Sequence, residues 1–354
     1  MKQPRLFLCS GSDKPSNTSL LDRCKVIKLD SLGQIPNVNI RIENITKVFA
    51  KNLSQRLVDM MEIAAYVYAA DCSTARTGAW LEEGSIEPWS REFHFVVPVR
   101  DADFWKQDEV KQCLTKVLEF LSNDHYCFEF QKLHEDRPKQ LYLEEEGAEE
   151  TWPIQGIERV IMFSGGLDSL AGALEMADGG QSLLLVSHRS ASQIDKRQRD
   201  LFKRLNDKYD VPMVHVPIWV NKTHLDREHT QRTRSFLFSV LGTVVAESVR
   251  AGGVRFFENG VVSLNLPLAD EVLRARASRT THPLSLSLLR NFCQMVIDRE
   301  FILDNPYVFK TKAEIVTSIA ERGAGDMINL TCSCAHTGFF SRQLNGIAEH
   351  VANV

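Results

Sequence analysis

The sequence lacks an apolar run long enough to cross a membrane. A helical span needs roughly 20 consecutive apolar residues, and no stretch of the 354 residues approaches that length. The apolar run that follows Met1 is also too short for a secretory signal. We therefore expect a cytoplasmic protein without a membrane partner.

An excess of one charge is also missing. Lysine and arginine number 42 against 46 aspartate and glutamate residues, which gives a formal net charge of −4. No general affinity for the nucleic-acid backbone is indicated by this balance. The eight cysteines are scattered and stand mostly among apolar residues, a pattern typical of reduced thiols and not of a disulfide framework.

Apolar content falls sharply in one internal stretch, which marks a boundary. Residues 134–153 contain a run of glutamates and few apolar side chains, as expected of a solvated linker. The chain is long enough for two domains, each with its own core. We predict an N-terminal domain over 1–133, an acidic linker over 134–153 and a second domain over 154–354.

The two halves differ in the order of their predicted elements. In the first half, strands at 5–10, 24–29, 91–101 and 126–133 and helices at 53–70 and 108–121 indicate an α+β domain. In the second half, strands at 160–163, 182–187, 213–216 and 254–257 alternate with helices. This alternation predicts an α/β fold, a doubly wound parallel sheet that binds ligands at the carboxyl ends of its strands.

The first strand of the second half runs into a glycine turn that opens a helix. The turn reads Ser-Gly-Gly-Leu-Asp-Ser over residues 164–169. Adjacent glycines permit backbone angles that other residues resist, and the first amides of the helix point outward without partners inside the helix. Such a turn favours phosphate oxygens. Asp168 stands where a carboxylate can help to hold Mg²⁺ among them.

This loop resembles the pyrophosphate loop (PP-loop) of the N-type ATP pyrophosphatases. The resemblance implies that the loop holds the β- and γ-phosphates of ATP with Mg²⁺, so that the α-phosphorus is attacked and AMP and pyrophosphate are formed. It implies a catalytic role for Asp168. The implied nucleotide-binding residues of the loop are Ser164, Gly165, Gly166, Leu167, Asp168 and Ser169.

Other candidate residues stand at strand ends and helix starts of the same half. Ser187 and His188 end the second strand, where the resemblance implies contact with adenine, and we prefer that interpretation of His188 to a catalytic base. Arg234 precedes a long apolar helix and is either a phosphate ligand or an ordinary surface arginine. Glu258 follows the fourth strand and binds substrate or metal, unless the segment is simply a turn with an Asx-type hydrogen bond.

A second motif lies at residues 310–316, Lys-Thr-Lys-Ala-Glu-Ile-Val. Thr311 and Glu314 have the spacing of a helix N-cap with its capping box. The segment resembles part of the 7-cyano-7-deazaguanine synthases, the members of this superfamily in queuosine biosynthesis. The resemblance implies that Lys312 has a catalytic role at the phosphates, with its neighbour Lys310 as a further nucleotide ligand.

The same synthases bind zinc through four cysteines near their C-terminus. This chain has Cys332 and Cys334 but no downstream cysteines, and His336 and His350 would have to complete four ligands. A structural zinc site is normally closed by four ligands, so we expect little or no zinc and a mobile segment from about residue 337.

The N-terminal half, together with Arg-Thr-Arg-Ser at 232–235 and Cys-Ser-Cys-Ala-His at 332–336, resembles the synthase-like proteins of bacterial anti-phage defence islands. The resemblance implies a ligase-type enzyme that adenylates a carboxylate or nucleobase-like substrate, with other defence proteins as possible partners. The alternative is an ATP-binding scaffold or sensor without turnover.

Overall fold

The computed structural model describes residues 3–31, 36–41, 45, 53–76, 90–134, 156–189, 192–225, 227–228, 230–265 and 278–331. Its strands are β1 (Arg5–Cys9), β2 (Lys25–Leu29), β3 (Val38–Ile40), β4 (Glu92–Val99), β5 (His125–Lys132), β6 (Val160–Met162), β7 (Leu183–Arg189), β8 (Met213–Lys222), β9 (Gly253–Arg255) and β10 (Ile302–Asp304). Its α-helices are α1 (Ser19–Arg23), α2 (Gln55–Ser73), α3 (Ala102–Trp105), α4 (Asp108–Ser122), α5 (Leu167–Asp178), α6 (Ser192–Lys208), α7 (Arg234–Ser248), α8 (Gly260–Leu264), α9 (Pro283–Ile297) and α10 (Lys312–Glu321).

The first sheet corrects the α+β character expected for the N-terminal half. Its order is β2-β1-β4-β5, and every neighbouring pair is parallel. Parallel neighbours need a crossover connection, and α1 links β1 to β2 while α3 and α4 link β4 to β5. Helices that connect parallel strands are the α/β arrangement. Stacked Phe7, Phe95 and Phe128 form part of the core on one face of the sheet.

The second sheet has the order β10-β9-β6-β7-β8-β3. The five strands from β10 to β8 are parallel, and β3 pairs antiparallel with β8 at the edge. The sheet is therefore mixed, which corrects the purely parallel sheet that we expected. Because β7 and β8 extend it on one side of β6 and β9 and β10 on the other, the winding direction reverses between β6 and β9. Ligands bind at such switch points in open α/β sheets.

Helices cover both faces of the second sheet. On one face α2 and α7 contribute to a buried apolar cluster that continues from Val186 and Val254 to Phe7 of the first sheet. On the other face a second cluster joins the sheet to α5, α6 and α10, through residues such as Leu170, Leu201 and Ile315. The five parallel strands with their two helical layers are consistent with a Rossmann-like fold.

Strand β3 and helix α2 come from the first half of the sequence but pack with the second half. Strand β3 belongs to the first half of the sequence but pairs within the second sheet, and 17 of the 19 residues of α2 are buried. The division into two domains stays a prediction, and residues 135–153 of the predicted linker lie outside the described ranges. Among the helices that are described, none is long and apolar enough to cross a membrane.

Candidate nucleotide site at the switch point of the second sheet

The glycine turn lies at the carboxyl end of β6, beside the switch point. Gly165 has a φ of +79°, and a Cβ on this residue would lie 3.1 Å from Cγ of Gln198. Both facts favour glycine here, because L-residues resist this φ and the neighbouring helix α6 leaves little room. The strand, turn and helix predicted from residues 160–177 are confirmed, with α5 beginning at Leu167.

The side chains of the turn hold its shape. The Ser164 hydroxyl accepts from the Gly166 amide at 3.2 Å and lies 3.2 Å from the Ser169 hydroxyl. Gln198 Nε2 donates to the Ser164 carbonyl at 3.1 Å. Gly166 is the N-cap of α5 and, lacking a side chain, makes no side-chain cap bond. Ser164 itself is exposed.

Asp168 connects the loop to the strand end at β9 and to α10. One carboxylate oxygen, Oδ2, accepts from the Asn259 backbone amide at 3.0 Å and from the Asn259 side-chain amide at 2.8 Å. The other oxygen, Oδ1, accepts from Lys312 Nζ at 2.6 Å. Asp168 is nearly buried, with 11% of its side chain exposed, whereas 55% of the Lys312 side chain is exposed. The structure therefore brings Asp168 and Lys312 together.

The side chain of Lys310 contacts α5 at a point farther along that helix than Asp168. Its Nζ donates to Glu175 Oε2 at 2.9 Å, as does the Tyr307 hydroxyl, also at 2.9 Å. Glu175 follows Asp168 by seven residues, which is about 10 Å along a helix. The structure thus separates Lys310 from the loop. The predicted cap is confirmed, because Thr311 and Glu314 form a reciprocal capping box at the start of α10, and this fixes which lysine faces Asp168.

Glu258 follows β9 and lies near Asp168. The Thr281 hydroxyl donates a short hydrogen bond to its Oε2, and the Asn305 amide donates to its backbone carbonyl at 2.8 Å. Burial raises the pKa of Glu258 above its ordinary value, opposed by the Thr281 bond, and the charge of Asp168 raises it further. The Asx-type bond is present as well, because Asn259 Oδ1 accepts from the Val262 amide. The segment therefore contains both the local turn and the nearby Glu258 carboxylate.

Ser187 and His188 are strand residues of β7, and both side chains are buried. The Ser187 hydroxyl donates to the Phe163 carbonyl at 2.5 Å and accepts from His215 Nε2 at 2.8 Å. His188 Nε2 donates to the Val220 carbonyl at 2.8 Å. Burial, aided by the charge of Arg234, lowers the pKa of His188 to about 4. The ring is therefore neutral near pH 7 and is a weak base.

Arg234 begins α7 on the His188 side of the site. Its guanidinium lies 4.9 Å from the centre of the Phe238 ring, and Phe238 lies 5.4 Å from the ring centre of His188. A pocket beside the loop is lined by residues that include Ser164, Ser169, His188, Phe238 and Glu258. Aromatic walls with a few polar groups are typical of small-molecule sites.

Asp168 and Glu258 place two carboxylates near the loop. Within the described ranges no group of three or more His, Cys, Asp or Glu side chains converges on one point. Mg²⁺ is commonly held by one or two carboxylates together with substrate phosphates, and Asp168 and Glu258 are two such carboxylates. The candidate zinc ligands Cys332, Cys334, His336 and His350, and the segment 337–354, lie outside the described residues.

Two contacts at the site had no local signal in the sequence. Gln198, in the middle of α6, donates a hydrogen bond to the loop. Glu175, on α5, accepts hydrogen bonds from both Tyr307 and Lys310. Both depend on which helix face meets a partner distant in sequence.

No model of a known protein family matches the chain, and a comparison with curated proteins finds no match.

Proposed function

We propose that this protein is an ATP-dependent adenylating enzyme of the PP-loop type. A substrate oxygen attacks the α-phosphorus of ATP, pyrophosphate leaves, and a nucleophile then displaces AMP from the adenylated substrate. The observation that carries the proposal is the glycine turn at the switch point, with Gly165 at positive φ and Gly166 as an N-cap that has no side chain to bond the first amides of the helix. Backbone amides of this kind favour phosphate oxygens.

The residues around the turn supply the charge that phosphoryl chemistry needs. Lys312 lies beside the loop and would neutralise phosphate charge, which is the main demand of such reactions. Asp168 and Glu258 would hold Mg²⁺, which supplies Lewis-acid stabilisation of the phosphate oxygens. Arg234 stands on the aromatic side of the pocket with His188 and Phe238, where it would meet the nucleoside or the acceptor.

The proposal also covers the acceptor substrate, the biological role and the cellular compartment. The resemblance to 7-cyano-7-deazaguanine synthases favours a carboxylate or nucleobase-like acceptor, and the resemblance to defence-island proteins favours a role in anti-phage defence with other defence proteins. We place this activity in the cytoplasm, since Cys24 and Cys293 are buried free thiols of the kind that reducing compartments maintain.

One observation favours a second candidate, an ATP-binding scaffold or sensor without turnover. Both carboxylate oxygens of Asp168 accept hydrogen bonds from protein groups, one from Lys312 and one from Asn259. Lys312 would therefore compete with Mg²⁺ for Oδ1 of Asp168. If Lys312 keeps this contact, the site would bind phosphate with a weakened hold on the metal, which disfavours turnover.

Product analysis separates the two candidates. Purified protein is incubated with Mg²⁺ and ATP labelled at the α-phosphorus, together with small-molecule and protein fractions of a bacterial extract as acceptors. We expect labelled AMP and an equivalent amount of pyrophosphate. Asp168→Ala should abolish both, and Asp326→Asn, an exposed acid paired with Arg204, should retain both.

Each other result decides between the alternatives. Labelled ADP that disappears in Asp168→Ala would overturn the adenylation chemistry. ATP binding by calorimetry without any product in either fraction would favour the scaffold. Full activity in both Asp168→Ala and Ser164→Ala would remove the loop from the reaction.

A further inference from the structure

A second charged pocket lies away from the nucleotide loop, at the edge of the first sheet. We infer that this pocket, which holds Arg5, Lys25, His224 and Arg227 around a cavity of about 360 Å³, binds a small multivalent anion such as a phosphate or pyrophosphate group. Its function does not depend on the adenylation chemistry proposed above.

The fold brings these cations together from separate parts of the chain. Arg5 and Lys25 occupy the same register on the parallel strands β1 and β2, and neighbouring strands lie about 4.8 Å apart. Arg227 is fixed by its backbone amide, which donates to the Cys72 carbonyl at 2.9 Å. The chain turns at His224, which has a φ of +61°. The arrangement is therefore built by backbone pairing and not by chance contact of long side chains.

Within the part of the chain that the structure describes, the positive charges of the pocket are not paired with protein acids. Among the described residues, no aspartate or glutamate forms an ion pair with Arg5, Lys25 or Arg227, although surface arginines elsewhere, such as Arg204 and Arg255, do form them. Burial lowers the pKa of Arg5, and the charge of Arg227 lowers it further. The second cause is repulsion between two guanidinium groups that share one cavity, and a bound anion would relieve it.

The helix end at the wall of the pocket does not oppose an anion strongly. Helix α2 ends at Ser73, and a helix C-terminus carries negative partial charge on its free carbonyls. Here those carbonyls are occupied. Cys72 accepts from the backbone amides of Arg227 and Glu228, and the carbonyls of Asp71 and Thr74 accept from the buried guanidinium of Arg91. The side chains that face the cavity therefore determine its charge.

The shape favours a small anion over a nucleic acid. Nucleic-acid surfaces are extended basic stripes on strongly basic domains, whereas this pocket has three full charges around one concavity and the chain is acidic overall. Arginine and lysine that converge without acidic partners are the usual ligands of phosphate groups. Ile27 and Leu225 add an apolar wall, which suits an organic phosphate as well as the inorganic ion.

Calorimetric titration with inorganic pyrophosphate tests the inference. The test variant is Lys25→Gln with Arg227→Gln, because both side chains are exposed and their loss should leave the fold intact. The control is Lys14→Gln with Lys203→Gln, which removes the same charge elsewhere. Asp168→Asn is titrated in parallel so that pyrophosphate held at the loop is recognised separately.

We expect saturable binding at low salt that the test variant weakens by roughly tenfold or more, and that neither the control nor Asp168→Asn abolishes. Added salt should weaken it. Equal pyrophosphate affinity in the test and control variants would overturn the inference. A single-stranded oligonucleotide that binds far more tightly than pyrophosphate, and is lost in the test variant, would overturn it in favour of a nucleic-acid surface.

Discussion

Two groups of charged side chains, one closed and one open, show how this chain uses acids differently in its two halves. The sealed cluster consists of Asp71, Asp124, Arg76 and Arg91, whose side chains are all 0–2% exposed. The rim cluster consists of Asp168, Glu258 and Lys312 beside the glycine turn, and 55% of the Lys312 side chain is exposed. One cluster is complete within the protein, and the other has capacity for a ligand.

In the sealed cluster two acids balance two guanidinium groups. Arg91 Nη2 lies 2.5 Å from Asp71 and 2.7 Å from Asp124, and Asp71 also accepts from the Thr233 amide and hydroxyl at 2.9 and 3.0 Å. Although burial raises it, the charges of Arg91 and Arg76 lower the pKa of Asp71 overall. The cluster thereby ties α2 and two strands of the first sheet to the start of α7.

The rim cluster is unbalanced by comparison. It has two acids and one lysine, and Glu258 is held by a hydroxyl instead of a cation. Lysine is a flexible point charge, whereas arginine forms planar two-point contacts. The difference teaches that buried arginine pairs indicate structure in this protein, whereas an exposed lysine beside a nearly buried acid indicates a place where a ligand can compete.

The largest effect that we expect comes from breaking the sealed cluster. Arg91→Met leaves two buried acids with only one cation, and removal of one partner from a buried pair typically costs about 3–5 kcal/mol. The free energy of unfolding in urea measures the loss. Arg204→Met, which removes an exposed pair with Asp326, is the control and should cost no more than about 1 kcal/mol. Equal losses in the two variants would mean that the sealed cluster has no special structural role.

The second prediction compares two neighbouring lysines. Lys312→Met removes the cation at Asp168 and should lower the rate of pyrophosphate release by about 10²–10³-fold, the usual cost of one lost charge-stabilising group. Lys310→Met removes the contacts with Glu175 and with the Tyr307 ring, neither of which involves the loop, and should change the rate little. Both variants should unfold at similar temperatures because both lysines are partly exposed. A larger rate loss in Lys310→Met would reverse the assignment of the two residues.

Local patterns predicted most of the elements but not their pairing. The strand at 160–163, the glycine turn and the helix behind it could be predicted because apolar runs and glycine act within a few residues. The capping box at Thr311 was predictable for the same reason. Strand β3 has only three residues and pairs with β8, far along the chain, so no local pattern indicates it.

The candidate site was predictable in part for the same physical reason. The loop follows from contiguous residues, but the contact of Asp168 with Asn259 and Lys312 depends on how two distant segments pack.

Pro98 shows how the first sheet accommodates a proline within a strand. It lies within β4, but β1 pairs with β4 only as far as Val96, so the missing proline amide does not disrupt that ladder.

The third prediction concerns the backbone beneath the rim cluster. Gly165→Ala places a Cβ at a φ of +79° and 3.1 Å from Gln198, so it should destabilise the protein by about 1–2 kcal/mol. ATP affinity, measured by titration, should fall as the turn shifts. Gly325→Ala is the matched control, since nothing lies within 4 Å of its added Cβ. Unchanged stability and affinity in Gly165→Ala would show that the turn tolerates other shapes.

The smallest effect that we expect is a pH dependence from Glu258. Its folded pKa is raised above the ordinary value of 4.5, so the folded state holds this proton more tightly than the unfolded state does. The resulting stabilisation is present below pH 4.5 and is lost as the pH rises through the folded pKa. Glu258→Gln keeps an oxygen for the Thr281 hydroxyl but cannot ionise. We therefore expect the variant to gain stability relative to the wild type between pH 4 and pH 7.5, measured by urea unfolding at both values. If the difference in free energy of unfolding between the variant and the wild type stays constant with pH, Glu258 ionises freely in the folded protein. The acids of the rim cluster would then be charged in the folded state, as those of the sealed cluster are.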